Sequence, residues 1–204
     1  MSRELLVATK NKKKLQEIKE ILSGLDFKIT SLSDYPNALR IVENGKTFKT
    51  NAKKKAVKIG GFLNKLTIGE DSGLCVDALG GRPGIYSSRF SGKNKSDNQN
   101  NLKLLRMLKG LPLKKRKAHY TCAVALACGK SLIGVVEGKC FGLIDFKLKG
   151  DHGFGYDPLF LIPRYKKTFG QLGERLKHKM SHRFQALKKL RKLLEKYIEK
   201  HKGS

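Results

Sequence analysis

The stretch TIGEDSGLCV, residues 67–76, decides how the chain is read. A short apolar run, Leu66 to Gly69, has the length and composition of a buried strand. Two acids, Glu70 and Asp71, follow it at once, and Ser72-Gly73 lead into a second apolar run. The whole chain holds 44 Lys+Arg against 17 Asp+Glu, so two adjacent acids are a costly use of a scarce residue type. At the carboxyl end of a strand they sit where α/β sheets place their sites. Hard divalent cations such as Mg2+ need carboxylate oxygens and bridge them to substrate phosphates. Glu43, in the loop ahead of the next helix, is a possible third carboxylate. A plain strand-end turn with an Asp/Ser cap is the alternative reading.

Outward from this stretch, strands and helices alternate. Leu5 to Ala8 reads as a buried strand. Leu15, Ile18 and Leu22 repeat at helical spacing from Lys13 onward, with Gly24 as the stop. Phe27 to Ile29 alternates like a strand, and residues 31–46 read as a loop broken by Pro36 and Gly45. Thr47 is a helix cap, and Phe48, Ala52, Ala56, Ile59 and Leu63 form the stripe behind it. Gly80 to Gly84 is a tight turn. Residues 97–109 form a helix with Leu102, Leu105 and Leu108 inward. Strands near 118–128 and 131–140 make a hairpin through Gly129-Lys130, and Phe184, Leu187, Leu190, Leu194 and Tyr197 define a last helix. The expected class is α/β, with a central mixed sheet flanked by helices. The 204 residues suit one domain, 1–204, of two lobes with a loose tail after about 200.

The formal charge of +27 points to a polyanionic partner, whether a nucleic acid, a nucleotide or a membrane surface. The lysines are dispersed and no RNA-recognition motif or zinc finger accompanies them, so nucleic-acid binding is a possible property and not the primary one. No apolar run reaches transmembrane length, and the N-terminus lacks a signal-peptide pattern. The four cysteines form no C-x-x-C; most sit in apolar, strand-like surroundings, where a free Cys acts as a small hydrophobe, which fits a reducing compartment. The expectation is a cytoplasmic protein without membrane contact.

Three further segments carry chemistry. A-T-K-N-K-K-K-L, residues 8–15, joins a strand to a helix. Backbone N–H groups at a helix start bind phosphate, Thr9 and Asn11 add hydrogen bonds, and Lys14 adds charge. The glycines of a Walker loop are absent. G-F-G-Y-D-P, residues 153–158, combines glycines, which permit close backbone approach, with rings that stack on a base. Ser181-His182-Arg183 offers donors for carbonyl oxygens. His178 and His182 stand four apart, as on one helix face, but no H-E-x-x-H metal motif is present.

Together with E-N-G-K-T-F-K-T-N-A at 43–52, E-D-S-G-L at 70–74 and G-G-R-P-G-I-Y-S-S-R-F-S-G at 80–92, these segments fall in one order across nearly the whole chain. In that order the chain resembles the inosine/xanthosine triphosphate pyrophosphatases, which act on non-standard purine nucleotides. The resemblance implies an elongated two-lobed α/β fold with a long mixed sheet and a cleft. It implies a homodimer, one Mg2+ per subunit, and hydrolysis of ITP, dITP or XTP to monophosphate and pyrophosphate. Asp71 becomes the general base and a metal ligand, with Glu43 and Glu70 as the other metal-site acids. Thr9, Lys10, Asn11, Lys12, Lys13 and Lys14 become triphosphate contacts, and Lys55 and Ser72 touch substrate. Phe154, Gly155, Tyr156, Asp157, Lys177, His182 and Arg183 become the nucleoside contacts. Thr50 stands where the family usually has Glu in F-x-E-N-A, and Leu176 where an acid often precedes the matching lysine. The rival readings are a pyrophosphatase for modified pyrimidine nucleotides, against which S-H-R argues, and a basic nucleic-acid-binding protein.

Overall fold

The computed structural model describes residues 3–92 and 96–201; the loose tail expected at the end falls, from 202 on, outside the described residues. Seven strands are hydrogen-bonded in the order β2-β1-β3-β4-β5-β6-β7. They are β1 (Arg3–Val7), β2 (Phe27–Ser31), β3 (Leu66–Val76), β4 (Lys117–Cys128), β5 (Ser131–Ile144), β6 (Phe160–Ile162) and β7 (Lys167–Thr168). The sheet is mixed: β1 runs parallel to both β2 and β3, while β6 runs antiparallel to β5 and β7. Among the described residues six α-helices accompany it: α1 (Lys12–Ile21), α2 (Phe48–Leu63), α3 (Asp97–Met107), α4 (Phe169–Leu172), α5 (Glu174–Met180) and α6 (His182–Lys200). Among the described residues no helix is long and apolar enough to cross a membrane.

The chain divides into two compact units, the first within residues 1–71, 122–138 and 183–204, the second within 72–121 and 139–182. The first unit closes its core with Leu5, Val7, Ile18, Ile68 and Val124 against Ala186, Leu187, Leu190 and Leu194 of α6. Those four α6 residues are fully buried and recur at helical spacing, and each such leucine stabilises the fold by about 1.5–3 kcal/mol. The second unit gathers Leu74, Val76, Leu104 and Leu108 around Tyr120, Phe160 and Phe169. Tyr120 and Phe160 meet at a centroid distance of 4.7 Å and 51° between planes, an edge-tilted pairing that aromatic quadrupoles favour.

Local chemistry explains the elements that position the site. Thr47 caps α2, its side chain accepting from the Thr50 N–H, and Thr50 answers by accepting from the Thr47 N–H at 3.1 Å. Thr50 therefore keeps the capping box that Glu usually completes, but brings no carboxylate. Gly69 is a matter of space. A Cβ there would meet the Ala52 carbonyl oxygen at 2.2 Å and the Ala56 nitrogen at 2.5 Å, so only glycine lets α2 lie directly on β3.

Several expectations need correction. Glu70 and Asp71 lie inside β3 and not past its end at Gly69: the strand continues to Val76, because residues 70–76 stay extended and all but Ser72 and Cys75 are buried. Leu102 is 40% exposed; the buried residues of α3 are Asn100, Asn101 and Leu104, since polar Asn101 finds a partner in the Gly155 carbonyl oxygen. His178 ends up in α5 and His182 in α6, so the two do not share a helix face.

Candidate functional site

In the first unit, the close approach of α2 to β3 carries Asn51 and Lys55, one turn apart, onto the paired acids. The Asn51 amide donates to Asp71 Oδ2 at 2.9 Å. Its own Oδ1 accepts from the Gly45 N–H at 2.7 Å, which fixes the amide's orientation. Lys55 is buried, donates to the Glu70 carbonyl oxygen at 2.8 Å, and lies 3.0 Å from Glu43 Oε2. The loop residue Glu43 is thus joined to the strand acids through one lysine.

The two acids have opposite surroundings. Glu70 is buried, which alone would raise its pKa, but Lys14 at 2.6 Å from Oε2 and Arg183 at 3.3 Å from Oε1 hold it well below the usual carboxylate range. Cys122 Sγ lies 3.4 Å from the same Oε1. Asp71 is pushed up to about 6, chiefly by burial; Lys55 and Asn51 work against the rise, and Glu43 and Glu70 add to it. One carboxylate is locked as a charge, and its neighbour is poised near neutrality, the pattern that separates a structural acid from an acid–base group.

Arg183 and Lys14 were expected to face the substrate. The structure places the Arg183 guanidinium, 1% exposed, between Glu70 and Glu17 of α1. Lys14 spends its ammonium on Glu70. The α1 start is capped by Asn11, whose side chain accepts from the Lys14 N–H at 3.1 Å, while Thr9 Oγ1 accepts from the Asn11 N–H at 3.1 Å. Lys10, Lys12 and Lys13 are exposed at this helix start.

For a divalent cation, Asp71 and Glu43 are the carboxylates whose surroundings fit. Glu70 fits less well, since each of its oxygens already faces a cation. Among the described residues no group of three or more His, Cys, Asp or Glu side chains converges to hold a metal. Mg2+ commonly takes only one or two carboxylates and completes its shell with water and phosphate oxygens, so this sparse donor set suits it.

In the second unit the 153–158 loop folds around Asp157. Oδ2 accepts from the Phe154 N–H at 2.8 Å and meets Lys177 Nζ at 2.6 Å; Oδ1 lies 3.4 Å from the Tyr120 hydroxyl. Gly153 has φ +82°, and a Cβ there would meet Asp157 Oδ2 at 2.2 Å, so glycine is required on both counts. Helix α3 holds the other side of the loop: Asp97 accepts from the Gly155 N–H at 2.7 Å and Asn101 donates to its carbonyl at 2.9 Å. Lys177 sits 4.6 Å over the Phe154 ring, and the His182 imidazole stacks on Tyr120 at 4.7 Å and 11°. Tyr156 is internal, donating to the Ser87 carbonyl oxygen at 2.8 Å, with its pKa raised by burial. Ser72 opens this unit at a half-buried position on β3.

Glu17, Tyr120, Asp97 and Asn101 went unnoticed in the sequence, Cys122 was read only as a small hydrophobe, and Asn51 was given no role within the 43–52 segment. Asn51 carried a signal: it lies three residues after Phe48, on the inward stripe of α2, where an amide needs a buried partner.

This mixed-sheet α/β fold with its buried acid–lysine cluster defines a known class: a model of the Ham1 family matches residues 5–193, and the chain belongs to that family. Among its relatives, a "dITP/XTP pyrophosphatase" of Desulforamulus reducens is 44% identical over 95% of this chain and 96% of its own length. One of the same description from Halalkalibacterium halodurans is 45% identical over 95% and 100%. The solved structure of a HAM1 protein from Coxiella burnetii is 33% identical and superposes with a TM-score of 0.88, covering 95% of this chain and 99% of that one.

Proposed function

We propose that this protein is a nucleoside-triphosphate pyrophosphatase that hydrolyses non-standard purine nucleotides such as ITP, dITP and XTP to the monophosphate and pyrophosphate, with Mg2+. The observation that carries the reading is Asp71: a buried carboxylate aligned by Asn51 and raised to about 6 beside a carboxylate held fully charged. Relatives that share more than 40% of their residues with the chain bear the name dITP/XTP pyrophosphatase.

In this reading Asp71 is the general base. It takes a proton from the water that attacks the α-phosphorus, and the α–β anhydride bond breaks to release pyrophosphate. A base with a pKa near the working pH combines sufficient ionisation with driving force for proton transfer. Mg2+ held by Asp71 and Glu43 would neutralise phosphate charge and acidify bound water. Lys10, Lys12, Lys13 and the N–H groups at the start of α1 hold the phosphate chain. Lys55 orients Glu43. Glu70, with Lys14, Arg183 and Glu17 around it, is a positioning group: it fixes a negative charge beside Asp71 and keeps that carboxyl raised.

The purine contacts are proposed to be Phe154 and His182. Phe154 and His182 supply ring faces, and the Asp157–Lys177 pair fixes the loop that bears Phe154. Donors aimed at a 6-oxo group reject adenine, whose amino group leaves them unpaired, and such a mismatch discriminates more strongly than shape alone. Hydrolysis of ITP in 18O-water tests the chemistry. Label is expected in the monophosphate; label in pyrophosphate, or release of orthophosphate, would overturn attack at the α-phosphorus.

A further inference from the structure

The second unit carries a basic pocket that the nucleotide chemistry leaves unused. About 580 Å3 in volume, it is lined by Leu105, Arg106, Lys109, Arg116 and Phe146 together with the Gly110–Pro112 turn residues. The segment that builds it, LRMLKGLPLKKRK at 105–117, contains Arg106, Lys109, Lys114, Lys115, Arg116 and Lys117 and not one acid. Five of those six cations are exposed. Arg116 is the exception at 4% exposure: its guanidinium donates to the carbonyl oxygens of Leu108 at 2.9 Å, Leu111 at 3.0 Å and Asp145 at 3.1 Å. The Asp145 carboxylate turns to Lys149 at 2.7 Å. Arg116 is therefore a fixed cation, and it lies 4.3 Å from the centroid of the Phe146 ring. Phe146 itself is 55% exposed, and Phe141 on β5 is 70% exposed.

Phe146 is thus held against a buried arginine while more than half of it stays open to water, among the exposed cations of the pocket. Rings that present a face among cations are what single-stranded nucleic acids use: bases stack on the ring and phosphates follow the charge. A duplex hides those base faces, and a free phosphate needs no ring. We propose that this pocket binds single-stranded nucleic acid, with a base stacked on Phe146 and the flanking phosphates held by Arg106 and Lys109. Lys114, Lys115 and Lys117, next to the pocket in the chain, extend the phosphate track. Contacts of this kind read neither base identity nor the 2′-hydroxyl, so DNA and RNA strands bind alike.

Fluorescence anisotropy with a short labelled oligothymidylate tests this on the full chain. The unaltered protein is expected to bind with an affinity that falls steeply with salt. Phe146→Ala, at an exposed position, is expected to weaken binding between about fivefold and a hundredfold. Arg106→Glu with Lys109→Glu weakens it at least as much and flattens the salt dependence. Lys188→Glu with Lys192→Glu, the same charge change at exposed positions on α6, changes it less than about threefold. All three variants keep the ITP hydrolysis of the unaltered protein. Equal weakening by both double variants would make the binding a property of net charge and overturn the proposal. So would an unaffected Phe146→Ala, an absence of binding, or a self-associated protein that Phe146→Ala turns into monomer without any change in oligonucleotide binding.

Discussion

Asp71→Asn is expected to abolish turnover and, at the same time, to make the protein more stable. The Asp71 carboxyl is raised from 3.8 to about 6 in the folded protein. At 1.36 kcal/mol per pKa unit, keeping it ionised costs the folded state about 3 kcal/mol. The sign follows from linkage: the folded state binds this proton more tightly than the unfolded chain. The cost is absent below about pH 4, grows between about 4 and 6, and is constant above. Asparagine removes the charge and can still accept the Asn51 amide hydrogen bond, whose length is 2.9 Å. Urea unfolding in the presence of a chelator, for both proteins across this pH range, reads the difference directly. The Asn variant should match the unaltered protein at low pH and exceed it by up to about 3 kcal/mol at pH 8. Equal or lower stability at pH 8 would refute the claim that the site stores its energy in a buried charge. A near-normal hydrolysis rate would refute the role of Asp71 as base.

Other expectations follow from single contacts. Gly153→Ala puts a methyl group 2.2 Å from Asp157 Oδ2 at a φ of +82°; it should cost about 2 kcal/mol or more in denaturant stability and raise KM more than it lowers kcat. Arg183→Met leaves Glu17 and Glu70 buried without their shared cation, and should cost about 3–5 kcal/mol; a loss under about 1 kcal/mol in urea would deny the network. Glu4 is lowered to about 2: burial alone would raise it, but Lys65, Tyr35 and Thr30 outweigh that. Its contribution is present above about pH 4.5 and is lost as pH falls through about 2, and screening of this partly exposed group leaves about 1–2 kcal/mol. Glu4→Gln should therefore destabilise at pH 6 and have little effect near pH 2.

Much of this fold was legible because local chemistry and periodicity agree. The Thr47 cap and the stripe from Phe48 to Leu63 gave α2 its bounds, and the Gly129-Lys130 turn separated β4 from β5. Leu102 misled because helical spacing admits two neighbouring faces, and the hydrogen bond from Asn101 to Gly155 chose between them. The acids were recognisable by their scarcity, but their difference was not. What splits Glu70 from Asp71 is Lys14, Arg183 and Lys55, brought from three helices, one of them 113 residues away. Long-range pairs such as Arg183 with Glu17 or Lys177 with Asp157 leave no periodic trace in a sequence. Gly69 and Gly153 look like ordinary glycines until a Cβ is placed on them.

The most direct test of the account is kcat/KM for pyrophosphate release across ITP, dITP, XTP, GTP, ATP and dTTP, with Mg2+ and with a chelator. The account predicts Mg2+-dependent hydrolysis of ITP, dITP and XTP that exceeds ATP and dTTP by two orders of magnitude or more, and its loss in Asp71→Asn. Comparable rates on ATP or dTTP, or rates untouched by the chelator, would contradict it.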